Sequence, residues 1–216
     1  MSLLPAKAPS RVTLEGRYAR LEPLAPAHAE DLYAASSVSD AESRFTWLFE
    51  TPPQSASEMA AWVEQVGTRD DPMLFAVTDK ASGRVGGRQA LMRIVPAHGV
   101  IEIGSIYWGP AIARTRVATE ALYLFARHVF EDLGYRRFEW KCNNANEPSK
   151  AAARRFGFTY EGVFRQHMIV KGQNRDTAWF SMLDGEWPTR RAGFERWLDP
   201  SNFNADGSHR ARLEVY

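Results

Sequence analysis

The sequence has little of several features that would assign a chain to a class directly. Among its 216 residues there is one cysteine, Cys142, which excludes an internal disulfide and favours a reducing compartment. Basic and acidic residues nearly balance, at 27 against 26, so no global field recruits nucleic acid or a membrane surface. No run approaches the ~18 apolar residues of a membrane span. No charged segment followed by an apolar one marks a leader at Met1. We therefore expect a soluble, cytoplasmic protein.

Apolar residues are, by contrast, abundant enough for a sizeable core. They make up 44% of the chain, with 7 Trp and 12 Phe. We find no internal repeat and no composition shift that would mark a second domain. The sequence therefore predicts one domain over residues 1–216, with a flexible N-terminal segment at 1–12 and a flexible C-terminal tail at 199–216, where polar residues dominate.

Strand and helix patterns follow one another along most of the chain. Apolar alternation and short apolar runs predict strands at 18–24, 73–78, 85–95, 100–108, 137–142, 163–170 and 176–183. Helical periodicity predicts helices at 26–36, 57–68, 115–133 and 188–198, and Ser57 is the expected N-cap of the second. A further helix is expected to begin after the cap Asn146 and to end at Phe156-Gly157-Phe158. Because a strand follows the long helix, a crossover connection and a parallel strand pair are expected.

The stretch 99–121 is the part around which the chain is organised. Apolar residues occupy both registers of 100–108, which is the pattern of a central strand covered on both faces. Glu102 interrupts this pattern, and a buried carboxylate is costly unless it has a partner. Two interpretations stay open: Glu102 is a carboxylate with a structural partner, or it has a chemical role.

A short basic loop leads from this strand into the long helix. Gly109-Pro110 ends the strand, and Arg114, Thr115 and Arg116 lie where the helix begins. Backbone N–H groups at a helix start bind anions, and cationic side chains beside them strengthen the binding. The loop therefore predicts a site for a phosphate-bearing cofactor, and a solvated arginine surface is the alternative.

Two further side chains have chemistry of their own. Cys142 ends an apolar strand, which favours a buried, inert thiol over a nucleophile. His167 follows Arg165 on a predicted strand. It either lines a pocket or is a half-buried histidine with satisfied ring nitrogens.

Several motifs together carry a family resemblance. They are Ala118-Thr-Glu-Ala121, Asn146-x-x-Ser149-x-x-Ala-Ala-x-x-Phe-Gly-Phe158, Phe156-Gly-Phe-x-Tyr-Glu-Gly-Val-Phe-Arg165 and Asn174-Arg-Asp176. With the order of the elements, they resemble the GNAT superfamily of acetyltransferases over about residues 11–183, and most of all the branch of the RimJ and RimL ribosomal-protein N-terminal acetyltransferases. The resemblance implies the GNAT fold, which is a mixed α/β fold with a central, twisted, mixed sheet of six to seven strands flanked by helices.

The loop before the long helix departs from the family pattern. The pyrophosphate loop of the family is usually Gln/Arg-x-x-Gly-x-Gly/Ala, whereas this chain has Ala113-Arg-Thr-Arg-Val-Ala118. Arg116 thus replaces the glycine that lets backbone approach phosphate. Hydroxyl donors from Thr115 and Thr119, together with the arginines, are expected to compensate.

The resemblance also implies a mechanism, in which the acetyl group of acetyl-CoA passes directly to a primary amine. Glu102 is the candidate base that takes the amine proton, directly or through water. Backbone N–H groups at the splayed end of the strand, near Ile106, Tyr107 and Trp108, would stabilise charge on the thioester oxygen. Ser149 matches the family residue that assists the leaving thiolate, and a serine that bonds a free N–H in a first helical turn is the structural alternative.

Ligand contacts follow from the same resemblance. Acetyl-CoA is expected to contact Ile106, Tyr107, Trp108, Arg114, Thr115, Arg116, Val117, Ala118, Thr119 and Asn146. The acceptor side is expected to include Arg44, Phe45, Trp47 and His167, and no residue is assigned to a metal. The acceptor is a small-molecule amine or a peptide N-terminus, nucleic acid and membrane are not expected partners, and monomer and homodimer both stay open. A module that holds CoA or an acyl-CoA without turnover is the alternative function.

Overall fold

A computed structural model describes residues 5–216, so the first four residues of the expected flexible segment lie outside the described residues. The strands are β1 (Leu14–Glu15), β2 (Ala19–Pro23), β3 (Met73–Asp79), β4 (Arg84–Val95), β5 (Val100–Trp108), β6 (Arg137–Asn143), β7 (Thr159–Val170) and β8 (Gln173–Leu183). The helices are α1 (Ala29–Ser36), α2 (Ala41–Phe45), α3 (Ala56–Gly67), α4 (Arg116–Arg127), α5 (Glu147–Arg155) and α6 (Trp187–Leu198). None of the helices in the described part of the chain is long and apolar enough to cross a membrane.

The strands form one mixed sheet in the order β1-β2-β3-β4-β5-β6-β8-β7. The β5–β6 pair is parallel, as expected from the helix between these strands. The registered neighbours β1–β2, β2–β3, β3–β4, β6–β8 and β7–β8 are antiparallel. The mixed sheet is confirmed, but over residues 5–216 it has eight strands and not six to seven. The additional strand, β1, has two residues, which is too short to leave an alternating pattern in the sequence.

Packing divides the chain into two compact units that interleave along the sequence. The first unit comprises residues 10–93 and 104–124, and the second comprises the described residues 5–9, 94–103 and 125–216. Because the chain changes unit at 9/10, 93/94, 103/104 and 124/125, no single linker separates them in sequence. The expectation of one domain over 1–216 stays a prediction.

In the first unit, helices α1 and α3 share an apolar core with the sheet. Leu32 of α1 and Val63 of α3 are buried in the same cluster as Leu74 of β3. The N-cap of α3 is Ser55, whose hydroxyl accepts the N–H of Glu58 at 3.1 Å, and the predicted cap at Ser57 is wrong. Both serines precede the same apolar pattern, so the sequence does not distinguish them.

In the second unit, residues after α6 pack against that helix. Phe203 and Val215 are 8% and 1% exposed, and the Phe203 ring lies 5.1 Å from that of Trp197. Arg190 of α6 donates to the backbone oxygen of Val215 at 2.8 Å. The structure thus differs from the expected flexible tail at 199–216. Its apolar residues stand singly among polar ones, so no periodicity reveals their burial.

Described residues of the N-terminal segment also make contacts within the second unit. Ala6 donates its N–H to the backbone oxygen of Pro96 at 3.0 Å, and Lys7 donates to that of Leu133 at 2.8 Å. Ala6 is buried, so part of the segment expected to be flexible is held in place.

Candidate active site

Strand β5 leaves its parallel partner halfway along its length. The ladder pairs Val100–Ile103 with Arg137–Trp140 and ends there, whereas β5 continues to Trp108. Ser105 lies just beyond this point with a φ of 48°, a left-handed conformation that is uncommon for residues with a Cβ. Backbone strain of this kind clusters at functional sites. The end of the ladder agrees with the splayed strand expected near Ile106.

A buried arginine of β4 contacts this strained residue. The Arg88 side chain is 4% exposed, and its Nη1 donates to the backbone oxygen of Ser105 at 2.7 Å and contacts the Ser105 hydroxyl. Its Nη2 lies 3.2 Å from a carboxylate oxygen of Glu50, and its guanidinium carbon lies 4.6 Å from the centre of the Trp62 ring. Burial lowers the pKa of Arg88, and the nearby Glu50 carboxylate opposes that shift. Our sequence reasoning missed Arg88 and Glu50. A charged residue inside an apolar strand was the available signal, since buried arginines are almost always paired.

The aromatic residues at the end of β5 are fixed by packing within the first unit. Tyr107 is buried, its hydroxyl donates to the backbone oxygen of Ala35 at 2.8 Å, and burial raises its pKa. The Phe45 ring lies 4.9 Å from the Tyr107 ring. Trp108 donates from its indole nitrogen to the amide oxygen of Gln89 at 3.3 Å. Phe45, expected on the acceptor side, thus contacts a strand residue expected at the thioester.

Helix α4 begins at Arg116, and threonine hydroxyls satisfy backbone groups in its first turn. Thr115 Oγ1 donates to the backbone oxygen of Ile112 at 2.7 Å and accepts the N–H of Val117 at 3.1 Å. Thr119, which is 1% exposed, donates to the backbone oxygen of Thr115 at 3.1 Å. Each hydroxyl thus donates to a carbonyl of its own chain segment, and its expected contact with phosphate stays a prediction.

The two arginines of this loop lie in different surroundings. Arg114 is exposed and has a φ of 63°, so its backbone is in the left-handed region. Arg116 is half-buried, with its guanidinium carbon 4.5 Å from the centre of the Tyr18 ring. Val117 and Ala118 are buried, so their side chains belong to the core. Any contact of these two residues with a ligand would come from their backbone.

Glu120, inside the family-like motif Ala118-Thr-Glu-Ala121, has a structural role. Its carboxylate is buried and accepts the backbone N–H groups of Arg17, Tyr18 and Ala19 at 2.9, 2.5 and 2.6 Å. Such charge-assisted bonds hold the turn before β2 against α4. A Cβ at Gly16 would clash with this carboxylate, so a larger residue there would displace the Glu120 side chain.

Glu102 has the partner that its burial demands. Its side chain is 4% exposed, and Lys141 Nζ of β6 lies 2.8 Å from one of its carboxylate oxygens. The same ammonium lies 2.6 Å from the Glu139 carboxylate and 3.8 Å from the centre of the Trp179 ring. Arg137 in turn donates to Glu139 at 2.7 Å. The ion pair with Lys141 supports the interpretation of Glu102 as a carboxylate with a structural partner. Its role as a base stays a prediction.

Ser149 is held in the first turn of α5 by three neighbours in the second unit. Asn146 caps the helix by accepting the N–H of Ser149 at 3.1 Å, and the indole nitrogen of Trp140 donates to Ser149 Oγ at 3.0 Å. Burial raises the pKa of the Cys142 thiol, and a hydrogen bond with Ser149 opposes this shift. The predicted cap at Asn146 and the predicted burial of Cys142 are confirmed. Because Ser149 Oγ accepts from Trp140, its own proton is oriented away from that indole.

The other residues expected on the acceptor side lie in three different settings. Arg44 of α2 donates to Asp40, just before that helix, at 2.9 Å, and this hydrogen bond lowers the pKa of Asp40. The Trp47 side chain follows α2 and is exposed. His167 is exposed on β7, with its Nδ1 2.9 Å from Thr177 Oγ1. The first unit thus contains Arg44, Phe45 and Trp47, and the second contains His167 with Glu102 and Ser149.

The parallel ladder of β5 and β6 ends halfway along β5, and a basic loop after β5 leads into the start of α4. This arrangement in a mixed sheet is the architecture of an acyl-CoA-dependent acyltransferase. The sequence matches the acetyltransferase (GNAT) domain family over residues 19–159, which is more than half of the chain. The chain belongs to this family of acetyltransferases, which use acetyl-CoA as the acetyl donor. The predicted fold is thereby confirmed.

Solved structures and a sequence relative agree with this assignment. The chain is 60% identical to a GCN5-related N-acetyltransferase from Brucella melitensis, with a TM-score of 0.95 over 97% of this chain and 96% of that one. It is 39% identical to a probable GNAT-family acetyltransferase from Chromobacterium violaceum ATCC 12472, with a TM-score of 0.79 over 85% of this chain and 92% of that one. A Bacillus subtilis strain 168 protein named "Putative ribosomal N-acetyltransferase YdaF" is 29% identical over 106 residues, or 49% of this chain. The match spans 57% of the length of YdaF.

Proposed function

We propose that this protein transfers the acetyl group of acetyl-CoA to a primary amine by direct attack of the amine on the thioester. The proposal depends on three structural features that follow one another along residues 104–119. Strand β5 leaves its ladder, Ser105 adopts a strained conformation, and a basic loop leads into the start of α4. Family membership supplies the reaction class, and these features supply groups suited to it.

The pyrophosphate of CoA is proposed to bind at residues 113–119. Arg114 is exposed and Arg116 is half-buried, so both cations are near the surface at the positive end of the α4 dipole. The threonine hydroxyls are engaged with backbone, so the proposed contacts are the arginines and backbone N–H groups. Arg116 in place of the family glycine makes the site more cationic and less open to close backbone approach.

Thioester activation is proposed at the second half of β5. The backbone N–H groups near Ile106, Tyr107 and Trp108 lie beyond the end of the β5–β6 ladder. They are suited to donate hydrogen bonds to the oxyanion that develops on the thioester, because fixed donors need no reorganisation during the reaction. The contacts of Tyr107 with Phe45 and Ala35 fix the position of this segment.

Proton transfer is proposed to involve Glu102 and Ser149 in separate steps. An aliphatic amine is an ammonium ion at neutral pH and must lose a proton before it attacks. Glu102 would take that proton, directly or through water, and its ion pair with Lys141 fixes the orientation of the carboxylate. Ser149 would donate a hydrogen bond to the leaving thiolate. The bond from Trp140 uses an oxygen lone pair and not the hydroxyl proton, for which the leaving thiolate would compete with the Cys142 sulfur.

The acceptor class is proposed to include peptide N-termini. The name of YdaF describes a ribosomal N-acetyltransferase, and the motifs of this chain resemble the RimJ and RimL branch. An α-amino group also has a lower pKa than a lysine side chain, so about a tenth of it is neutral at pH 7 against well below a thousandth of lysine. We also propose a cytoplasmic location, because the single cysteine favours a reducing compartment and the name of YdaF describes a ribosomal enzyme.

An amine panel tests the proposed function. The protein is incubated with acetyl-CoA and a set of peptides, polyamines and aminoacyl conjugates. Release of free CoA thiol is followed, and products are identified by mass spectrometry. We expect thiol release that depends on the amine and a product heavier by one acetyl group. If calorimetry shows acetyl-CoA binding but no amine is acetylated, the alternative of a CoA-binding module without turnover is correct.

A further inference from the structure

Arg88 connects the segment after α2 to the strained residue of β5. The guanidinium is planar, and its two terminal nitrogens contact different groups: Nη1 contacts Ser105 and Nη2 contacts Glu50. One face of the guanidinium lies on the Trp62 ring. Glu50 and Ser105 are thus linked through one guanidinium, whose plane the Trp62 ring helps to fix.

Glu50 differs from Arg88 in its access to solvent. The Arg88 side chain is 4% exposed, whereas the Glu50 side chain is 30% exposed. A carboxylate whose purpose was to neutralise a buried arginine would be expected to share its burial, because an ion pair is stronger away from water. Glu50 therefore presents part of its carboxylate to the surface while Arg88 links it to Ser105 of β5.

Exposed aromatic side chains precede this carboxylate in the same segment. Trp47 and Phe49 are 37% and 55% exposed, although residues of this size are usually covered. Phe45, at the end of α2, contacts Tyr107. A carboxylate and aromatic faces together are the groups that bind an organic ammonium ion, through charge-assisted hydrogen bonds and cation–π contacts.

We infer that Glu50 binds the ammonium group of the acceptor amine, and that Arg88 is a positioning residue that fixes the Glu50 carboxylate beside Ser105. This inference rests on the proposed amine acetylation and names a residue that selects its acceptor. The ligand class is a cationic primary amine. Glu50 is its counter-ion, and no proton transfer is assigned to Glu50.

Steady-state kinetics of Glu50→Gln test the inference. The matched control is Glu42→Gln, which removes an exposed carboxylate from α2 in the same part of the chain. With a cationic amine accepted by the wild type, we expect Glu50→Gln to raise the acceptor KM by about tenfold or more, as for loss of a charge-assisted contact. The KM for acetyl-CoA should stay within twofold of the wild-type value, and Glu42→Gln should behave as wild type.

A neutral acceptor and a variant of Arg88 separate binding from structure. An arylamine, which is uncharged at neutral pH, should have the same KM with Glu50→Gln as with wild type. Arg88→Lys keeps a cation but loses the planar fork whose two terminal nitrogens contact Ser105 and Glu50 separately. It should raise the KM for the cationic amine while acetyl-CoA binding by calorimetry is unchanged. Arg84→Lys, at an exposed position on the same strand, is its control.

The outcomes distinguish this inference from the proposed function. If wild type acetylates amines and Glu50→Gln matches Glu42→Gln for the cationic acceptor, the inference is overturned and the proposed function stands. An equal loss with the cationic amine and the arylamine also overturns it, because that pattern indicates a structural role. If wild type acetylates no amine, both fail together. A KM effect confined to the cationic acceptor supports the inference.

Discussion

Glu102 and Glu139 lie directly opposite each other in the parallel ladder of β5 and β6, and Lys141 Nζ bridges their carboxylates at 2.8 and 2.6 Å. Like charges at opposed ladder positions destabilise a sheet unless a counter-ion is present. Breaking a buried pair by removing one partner costs about 3–5 kcal/mol. The cluster therefore fixes the conformation of Glu102, whichever step that residue serves.

The first prediction concerns Glu102 as the base. Glu102→Gln should lower turnover by roughly 10²-fold or more at neutral pH, because the amine loses its proton acceptor. The loss should shrink as pH rises toward the pKa of the amine, where neutral amine becomes abundant. The test is to measure the turnover of wild type and of Glu102→Gln as a function of pH, with one amine that the wild type accepts. Glu139→Gln changes the same cluster without touching the proposed base and serves as control. Wild-type turnover of Glu102→Gln across the profile would assign Glu102 to structure alone.

The second prediction concerns the basic loop. Replacing Arg114 and Arg116 together with Ala should weaken CoA binding by at least ~1.5 kcal/mol, since charge-assisted contacts to phosphate are removed. Isothermal titration calorimetry measures the change, with Arg84→Ala as an exposed arginine control. Because Arg116 also contacts Tyr18, a thermal melt should show that the double variant is folded. Unchanged affinity would place the phosphate site elsewhere.

The third prediction concerns Ser149. If its hydroxyl assists the leaving thiolate, Ser149→Ala should lower kcat by about tenfold, the value of one hydrogen bond made in the transition state. The factor should be nearly independent of the acceptor pKa, in contrast to Glu102→Gln. Ser57→Ala, in the first turn of α3, is the control. A factor that varies strongly with acceptor pKa would contradict the assigned step.

The fourth prediction concerns Cys142. Burial raises its thiol pKa, so at any pH below that value the thiolate fraction is smaller than for an exposed cysteine. Alkylation by iodoacetamide should therefore be slow in the native protein and should accelerate on unfolding, as followed by mass spectrometry. Cys142→Ala should retain most activity. Loss of all turnover in a folded Cys142→Ala protein would require a covalent mechanism.

The fifth prediction concerns Glu120. Glu120→Gln should destabilise the protein by about 3 kcal/mol, because three backbone N–H donors, that of Ala19 buried, lose a charged acceptor. For a chain of this length the loss corresponds to a fall in Tm of about 6 to 12 °C. Differential scanning calorimetry measures it, and Glu64→Gln, at an exposed position of α3, should leave Tm unchanged within error. A Tm equal to wild type would mean that the three donors find other acceptors.

The sequence by itself determined the order of the longer elements, the central strand, the long helix and the family, but not the short β1 and α2. These features have a local period or a local cap, such as Asn146 before α5, so they can be read from neighbouring residues. The burial of Glu102 was visible in the same way, because a carboxylate stood inside an apolar strand. Its need for a partner followed from the cost of burying a charge.

Tertiary structure decided which distant residues meet, because no local period encodes such contacts. Lys141 became the partner of Glu102 through the parallel pairing of β5 and β6. Arg88 met Glu50 and Ser105 through the folding of the first unit, and the left-handed backbone of Ser105 has no signature in its own side chain. The hydroxyls of Thr115 and Thr119 donate to the backbone oxygens of Ile112 and Thr115, because the start of the helix brings these acceptors within hydrogen-bond distance.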